Sequence, residues 1–195
     1  MTGDNQPLLA LLRTRRSVPA LLLREPGPSE AEIEAALEVA MRAPDHGALR
    51  PWRFVLIRGA ARERLAELFV RRMREREPPA PPHKIDKAAT QTRATPLVIA
   101  VGVKLVREHK VPEIEQLLSG GAAVMNLLDA FHVQGYGAIL LTGPNAYDGE
   151  IATALGFASD EQLLGFVYVG SRPAQLQLPA PPSINRGSYV REWTG

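Results

Sequence analysis

Arg15-Arg16-Ser17 puts two guanidiniums and a hydroxyl side by side, directly after a short amphipathic stretch with leucines at 8, 9, 11 and 12. Such a cluster can hold a phosphate through forked, charge-assisted hydrogen bonds. The plainer reading is that cations simply favour a helix C-terminus. A second group sits in Met41–Phe54, MRAPDHGALRPWRF, where Arg42 and His46 flank Pro44. An arginine at a helix end again suits the dipole, and a lone loop histidine is usually structural or merely exposed. A third feature is Ser119-Gly-Gly-Ala-Ala123, inside a long helical pattern. Interior glycines cost about 1 kcal/mol each relative to alanine, so something must compensate. Close approach of another helix would do so, either within the chain or across a subunit interface at residues 119–123.

Much chemistry is excluded. The chain has 195 residues and no cysteine, so disulfides, thiolate nucleophiles and Cys-ligated metals are absent. No nucleophile elbow, Walker loop or zinc-protease helix occurs. Gly135-Tyr-Gly137 begins a dinucleotide fingerprint, but Leu140 stands at the last glycine and a strand follows instead of a helix. The four histidines, 46, 83, 109 and 132, have no metal-ligand spacing. Lys+Arg number 23 against 21 Asp+Glu, which argues against a nucleic-acid surface. The arginines of 62–76 alternate with glutamates and read as a solvated helix laced with i,i+4 pairs. With neither a membrane-length apolar run nor a signal-peptide layout, the expectation is a cytoplasmic protein.

The elements that position these groups follow from periodicity and punctuation. Ser29-x-x-Glu32 is a capping box, opening a helix that Pro44 stops. The quoted segment then runs into a strand at 54–57. A charged helix follows over about 62–76, then the prolines of 78–82, which predict a stiff connector, and a helix near 84–93. Leu97–Val103 is apolar throughout and predicts a strand buried on both faces. A long helix from Pro112 to about Val133, a strand at 138–141, a short helix at 148–155 and a strand at 163–169 complete the set. From Ser171 the chain reads as an extended arm, whose Tyr189 and Trp193 cannot bury themselves. These elements predict a single α+β domain over 1–195.

Taken in order, Arg-Arg-Ser, Met-Arg-Ala-Pro-Asp-His, Pro-Trp-Arg-Phe, Glu108-His-Lys-Val-Pro112 with Glu115-Gln116 and Ser119, and Gly135-Tyr-Gly137 resemble the nitroreductase family of FMN-dependent oxidoreductases, in particular its compact, YdjA-like branch. The resemblance runs from about Leu8 to Gly170. It implies an α+β fold with a central mixed or antiparallel sheet flanked by helices, in an intertwined homodimer with FMN at the interface. Arg15, Arg16 and Ser17 would hold FMN from one subunit, with Arg16 as electrostatic stabiliser of the reduced ring. Arg42 and His46 would approach it from the partner, and Leu140, Leu141 and Thr142 would lie along it. Ala130, Phe131, His132, Val133, Gln134 and Gly135 match a stretch that binds the nicotinamide nucleotide. Hydride would pass from NADH or NADPH to flavin N5 and on to a nitroaromatic, quinone or similar small acceptor, with no side-chain nucleophile. Three departures stand out. Ala48 and Arg50 replace the family's Asn and Gln, and Leu140-Leu141-Thr142 replaces Trp-Arg-Ser, removing a cation at 141. That missing cation sustains a second reading, a flavin- or nucleotide-binding carrier or sensor without turnover. A third is a module binding acidic partners through 62–76.

Overall fold

The computed structural model describes residues 6–176, 178–179 and 183–195. Four strands form one antiparallel sheet in the order β1-β2-β4-β3: β1 (Trp52–Arg58), β2 (Leu97–Lys104), β3 (Gly137–Leu141) and β4 (Glu161–Gly170). The expected mixed or antiparallel sheet is thus antiparallel throughout these named strands. Register is set by full-length pairings, Trp52 opposite Val103 and Ala100 opposite Phe166 among them. Residues 98–101 of β2 are fully buried, as its unbroken apolar run predicted.

One face of the sheet is covered by α2 (Glu30–Ala40) and α5 (Glu113–Val133) over a cluster that includes Ile33, Leu127, Phe131 and Val167. The other face holds Leu65, Phe69, Ile151, Phe166 and Tyr168 beneath α3 (Ala61–Glu75) and α6 (Gly149–Ala154). Helix α4 (Pro82–Ala94) packs on α3. The remaining helix, α1 (Gln6–Arg13), leans on α5. The capping box forms as read: Ser29 Oγ accepts from Glu32 N–H while Glu32 Oε2 accepts from Ser29 N–H at 2.8 Å.

Two sequence expectations need correction. The arginines of α3 do not lace that helix to itself. Arg72 makes one i,i+3 pair with Glu75, but it also reaches Asp148 at 3.1 Å and Glu150 at 2.8 Å, while Arg76 reaches Asp148 at 3.2 Å. Glu63 pairs with Arg93 of α4 at 2.8 Å. The charges are tertiary ties, drawn together because α3 lies between α4 and α6. The glycines of α5, for their part, answer to the sheet and not to another helix. A Cβ on Gly120 would lie 2.3 Å from Val103 Cγ2 and 2.8 Å from Leu164 Cδ1. Ser119 and Ala123 are buried on the same side, so of the stretch 119–123 only Gly121 is fully exposed.

Ser171 bridges to Arg24, and Leu176 and Leu178 pack on the core. Beyond them Tyr189 and Trp193 are 79% and 89% exposed. Residues 177 and 180–182 of the arm, and 1–5 at the start of the domain, lie outside the described residues.

These contacts give two stability predictions. Gly120→Ala should destabilise the fold by about 1–3 kcal/mol, because its methyl has no room. Gly121→Ala, with nothing within 4 Å of its Cβ, should be tolerated; urea unfolding of the two variants measures the contrast. At Asp148, burial alone would raise the carboxyl pKa, but hydrogen bonds from Arg72 and Arg76 and from the Ile151 amide outweigh it and hold the value below the ordinary 3.8. Asp148→Asn keeps the helix cap and loses the ion pairs. The guanidiniums stay one-fifth exposed, so the cost should fall below the about 3–5 kcal/mol of a fully buried pair, on the order of 2 kcal/mol. Because the folded pKa is depressed, this stabilisation is complete above the unfolded value and is lost as pH falls through the folded one. The gap between wild type and Asp148→Asn should therefore narrow below about pH 4.

Candidate functional site

Helix α5 organises the Met41–Phe54 loop. Gln116 is buried and spends its whole amide on the neighbouring 105–112 loop: Oε1 accepts from Val106 N–H at 2.8 Å, and Nε2 donates to the carbonyls of Val106 and Val111 at 2.9 and 3.0 Å. Ser119, one turn on, accepts from Trp52 Nε1–H at 3.0 Å. Glu115 Oε2 lies 2.6 Å from His46 Nδ1. Glu115, Gln116 and Ser119 thus act together as a clamp. Trp52, chemically conspicuous in the sequence, serves as an anchor for β1.

The loop is strained as well as clamped. Gly47, Ala48 and Arg50 take positive φ of 78°, 52° and 48°. Left-handed backbone costs a non-glycine residue about 1–2 kcal/mol. Asp45 Oδ2 accepting from Arg50 N–H at 2.7 Å helps to hold the turn. A β-carbon on Gly47 would stand 3.1 Å from Val111, so the two loops are in close contact. Arg42, at the end of α2, is exposed and makes no side-chain hydrogen bond or ion pair among the described residues.

Arg15, Arg16 and Ser17 run along the outer edge of β3. Ser17 bridges in parallel to Ala138, and Val18 N–H donates to Ala138 carbonyl at 3.1 Å. Arg15 faces Asp129 near the other end of α5 at 3.5 Å, and Arg16 donates to Pro179 carbonyl at 2.5 Å. The separation of the two groups follows. Asp129 and Glu115 are fourteen residues apart on one helix, about 21 Å at the α-helical rise. The contacts of Arg15 and His46 on α5 are therefore fixed towards opposite ends of the helix.

Leu140, Leu141 and Thr142 lie at the far end of β3, about 10 Å from the Ser17 bridge at strand rise. Gly165 of β4 admits them: a Cβ there would meet Leu141 carbonyl at 2.9 Å and Leu140 Cδ1 at 3.0 Å. Leu141 and Thr142 border a cavity of about 480 Å³ with Phe69, Phe166 and Tyr168 in its lining, walled by Pro78–Pro81 and α4. Burial drives the Tyr168 hydroxyl up to about 12, with a hydrogen bond from Thr92 opposing, so it stays neutral at ordinary pH. Lys84, Lys87 and Gln91 of α4 also face this cavity. Sequence reading missed them, although their i, i+3, i+7 spacing places polar groups on one helix face. Lys84 and Lys87 bring positive charge to the cavity that Leu141 borders.

The stretch Ala130–Gly135 is a junction. Ala130 and Phe131 are buried, His132 Nε2 lies 3.0 Å from Leu11 carbonyl, and Gln134 Nε2 donates to Glu32 carbonyl at 2.9 Å. Only Val133 and Gly135 are exposed. Among the described residues no group of His, Asp or Glu could hold a metal, and no helix is long and apolar enough to cross a membrane.

Residues 12–171 match the model of the nitroreductase family. The chain belongs to that family. It is 37% identical over 177 residues to the Escherichia coli K12 protein named "Putative NAD(P)H nitroreductase YdjA", covering 91% of this chain and 92% of that one. A nitroreductase-like family protein from Bacillus cereus has the same fold, with a TM-score of 0.80 at 18% identity over 96% of each chain. A nitroreductase from Bacteroides fragilis, solved with bound FMN, aligns at 0.75 and 17% identity over 98% of this chain and all of its own. This member of the family carries Ala48 and Arg50 in the Met41–Phe54 connection and Leu141 at the end of β3.

Proposed function

We propose that this nitroreductase is an FMN-dependent NAD(P)H oxidoreductase reducing small nitroaromatic, quinone or similar acceptors, with each site built from two copies of the chain. The observation that carries the two-chain reading is the spacing along α5. Arg15–Ser17 and Leu140–Thr142 share the edge and end of β3, a span that one FMN can bridge. His46 pairs with Glu115, about 21 Å along the helix from the Asp129 that faces Arg15, so we assign it, with Arg42 of the same connection, to a neighbour's flavin.

The residues present fit the cofactor. Arg15, Arg16 and Ser17 offer a phosphate two guanidiniums and a hydroxyl. The cavity beyond Leu141 offers an aromatic lining and, on α4, the donors Lys84, Lys87 and Gln91. FMN would supply hydride acceptance and delivery. The chain's own part is to bind, orient and neutralise. Arg16 presents positive charge where reduction adds negative charge, and the clamp on 44–52 fixes His46 before any ligand arrives. Within 130–135, the surface positions Val133 and Gly135 are those available to a nicotinamide nucleotide.

A second copy also explains the exposed apolar surface. Leu8 and Leu9 on α1 are about half exposed, and Ile114, Leu118 and Met125 line the outer face of α5. Ile114, Leu118 and Met125 recur at helical spacing, and an exposed apolar helix face is a candidate interaction site. The arm from Ile184 to Trp193 adds apolar groups that its own chain leaves uncovered.

The test is direct. The purified protein should bind FMN and turn yellow, and NADH or NADPH should bleach that colour, with oxygen or a quinone restoring it. Arg16→Ala should weaken FMN binding about ten- to a hundredfold, the loss of a charged hydrogen bond. Binding without bleaching would favour the carrier reading; no binding would remove the flavin assignment.

A further inference from the structure

The histidines of this chain differ in which ring nitrogen is committed. His132 Nε2 lies 3.0 Å from Leu11 carbonyl and 3.1 Å from Thr14 Oγ1. A carbonyl only accepts, so in the neutral ring Nε2 carries the hydrogen. His109 Nδ1 accepts from Val111 N–H at 3.1 Å, which again puts the hydrogen on Nε2. His46 is reversed. Its Nδ1 lies 2.6 Å from Glu115 Oε2, and a carboxylate oxygen only accepts. The hydrogen is therefore on Nδ1, and Nε2 has no partner among the described residues.

We propose that Glu115 is a positioning residue for His46: by accepting Nδ1–H it fixes the Nδ1–H tautomer and leaves Nε2 as a lone-pair acceptor directed at an N–H or O–H of the bound ligand. The proposal rests on the reading of His46 as a group that meets flavin, and deepens it. FMN carries both kinds of donor, an imide N–H on its ring and hydroxyls on its ribityl chain.

The pair itself is surface-exposed, and such a contact contributes little to stability. Its value lies in orientation. Both partners hang from fixed supports: Trp52 on Ser119, Asp45 on the Arg50 amide and Gly47 against Val111 hold the loop, while Gly120 seats α5 on the sheet. Little further backbone freedom is lost when the two meet. The arrangement is that of a histidine whose outer nitrogen acts while a carboxylate sets the inner one.

Long-range proton–nitrogen NMR of the full chain tests this, at a pH high enough that the ring signals no longer change. His46 should show a protonated Nδ1 and a bare Nε2, while His109 and His132 serve as internal controls of the opposite form. Glu115→Leu should switch His46 to the Nε2–H form, and Glu115→Gln, whose amide oxygen still accepts, should keep it. In parallel, FMN titration should show Glu115→Leu weakened about three- to tenfold, Glu115→Gln close to wild type, and Glu115→Leu/His46→Ala no weaker than His46→Ala alone. An Nε2–H ring in wild type, or no switch in Glu115→Leu, overturns the positioning role. A switch as expected, with FMN affinity and turnover of His46→Ala unchanged, removes His46 from the site and the proposal with it.

Discussion

The seating of α5 on the sheet at Gly120 is the constraint on which the rest depends. With no Cβ at that position, the helix backbone comes close enough for Val103 and Leu164 to pack against it. That contact fixes a rod of 21 residues across the molecule. At its first turns the rod carries Glu115, Gln116 and Ser119, which hold two loops. Near its other end it carries Asp129 opposite Arg15, and His132 against α1. The helix therefore serves as a ruler for the site as well as part of the core.

Rigidity at the loop is obtained against a local cost. Ala48 and Arg50 sit in left-handed backbone, which their side chains disfavour, and the turn persists because Asp45, Trp52 and Val111 over-determine it. Strain of this kind collects where a side chain must be presented in one orientation. Here the loop so held carries His46. The opposite wall follows a different logic: an apolar strand end at Leu140–Leu141 is pressed close by Gly165, and the cations come from a helix distant in sequence.

Local order was legible in the residues. The capping box at Ser29, the stop before Pro44 and the buried run of β2 are short-range rules, and each is met. Charge placement was not, because it depends on which helices lie side by side. The glutamates near Arg72 and Arg76 look like partners along the helix, yet Asp148, which is far less exposed, meets both guanidiniums, and only Arg72 keeps a partner within the helix. The glycines of α5 showed that something approaches the helix and could not show that it is a sheet. For the site, Arg15–Ser17 and His46 stood out by residue type. Lys84 and Lys87 did not, and Glu115 entered only as part of a motif, since an exposed lysine or glutamate on a helix resembles any solvated face until its neighbours are known.

The central claim is that one flavin site draws Arg16 from one chain and His46 from another. Subunit mixing tests it most directly. Arg16→Ala and His46→Ala are each made as homodimers, whose sites all carry one lesion, and are then combined under conditions that allow exchange. If the residues meet across the interface, each mixed dimer holds one site with both lesions and one with neither. NAD(P)H-driven turnover should then rise well above both parents, towards about half of wild type per mixed dimer. If the two residues serve the same chain's site, every site keeps one lesion, mixing restores nothing, and the two-chain site is contradicted.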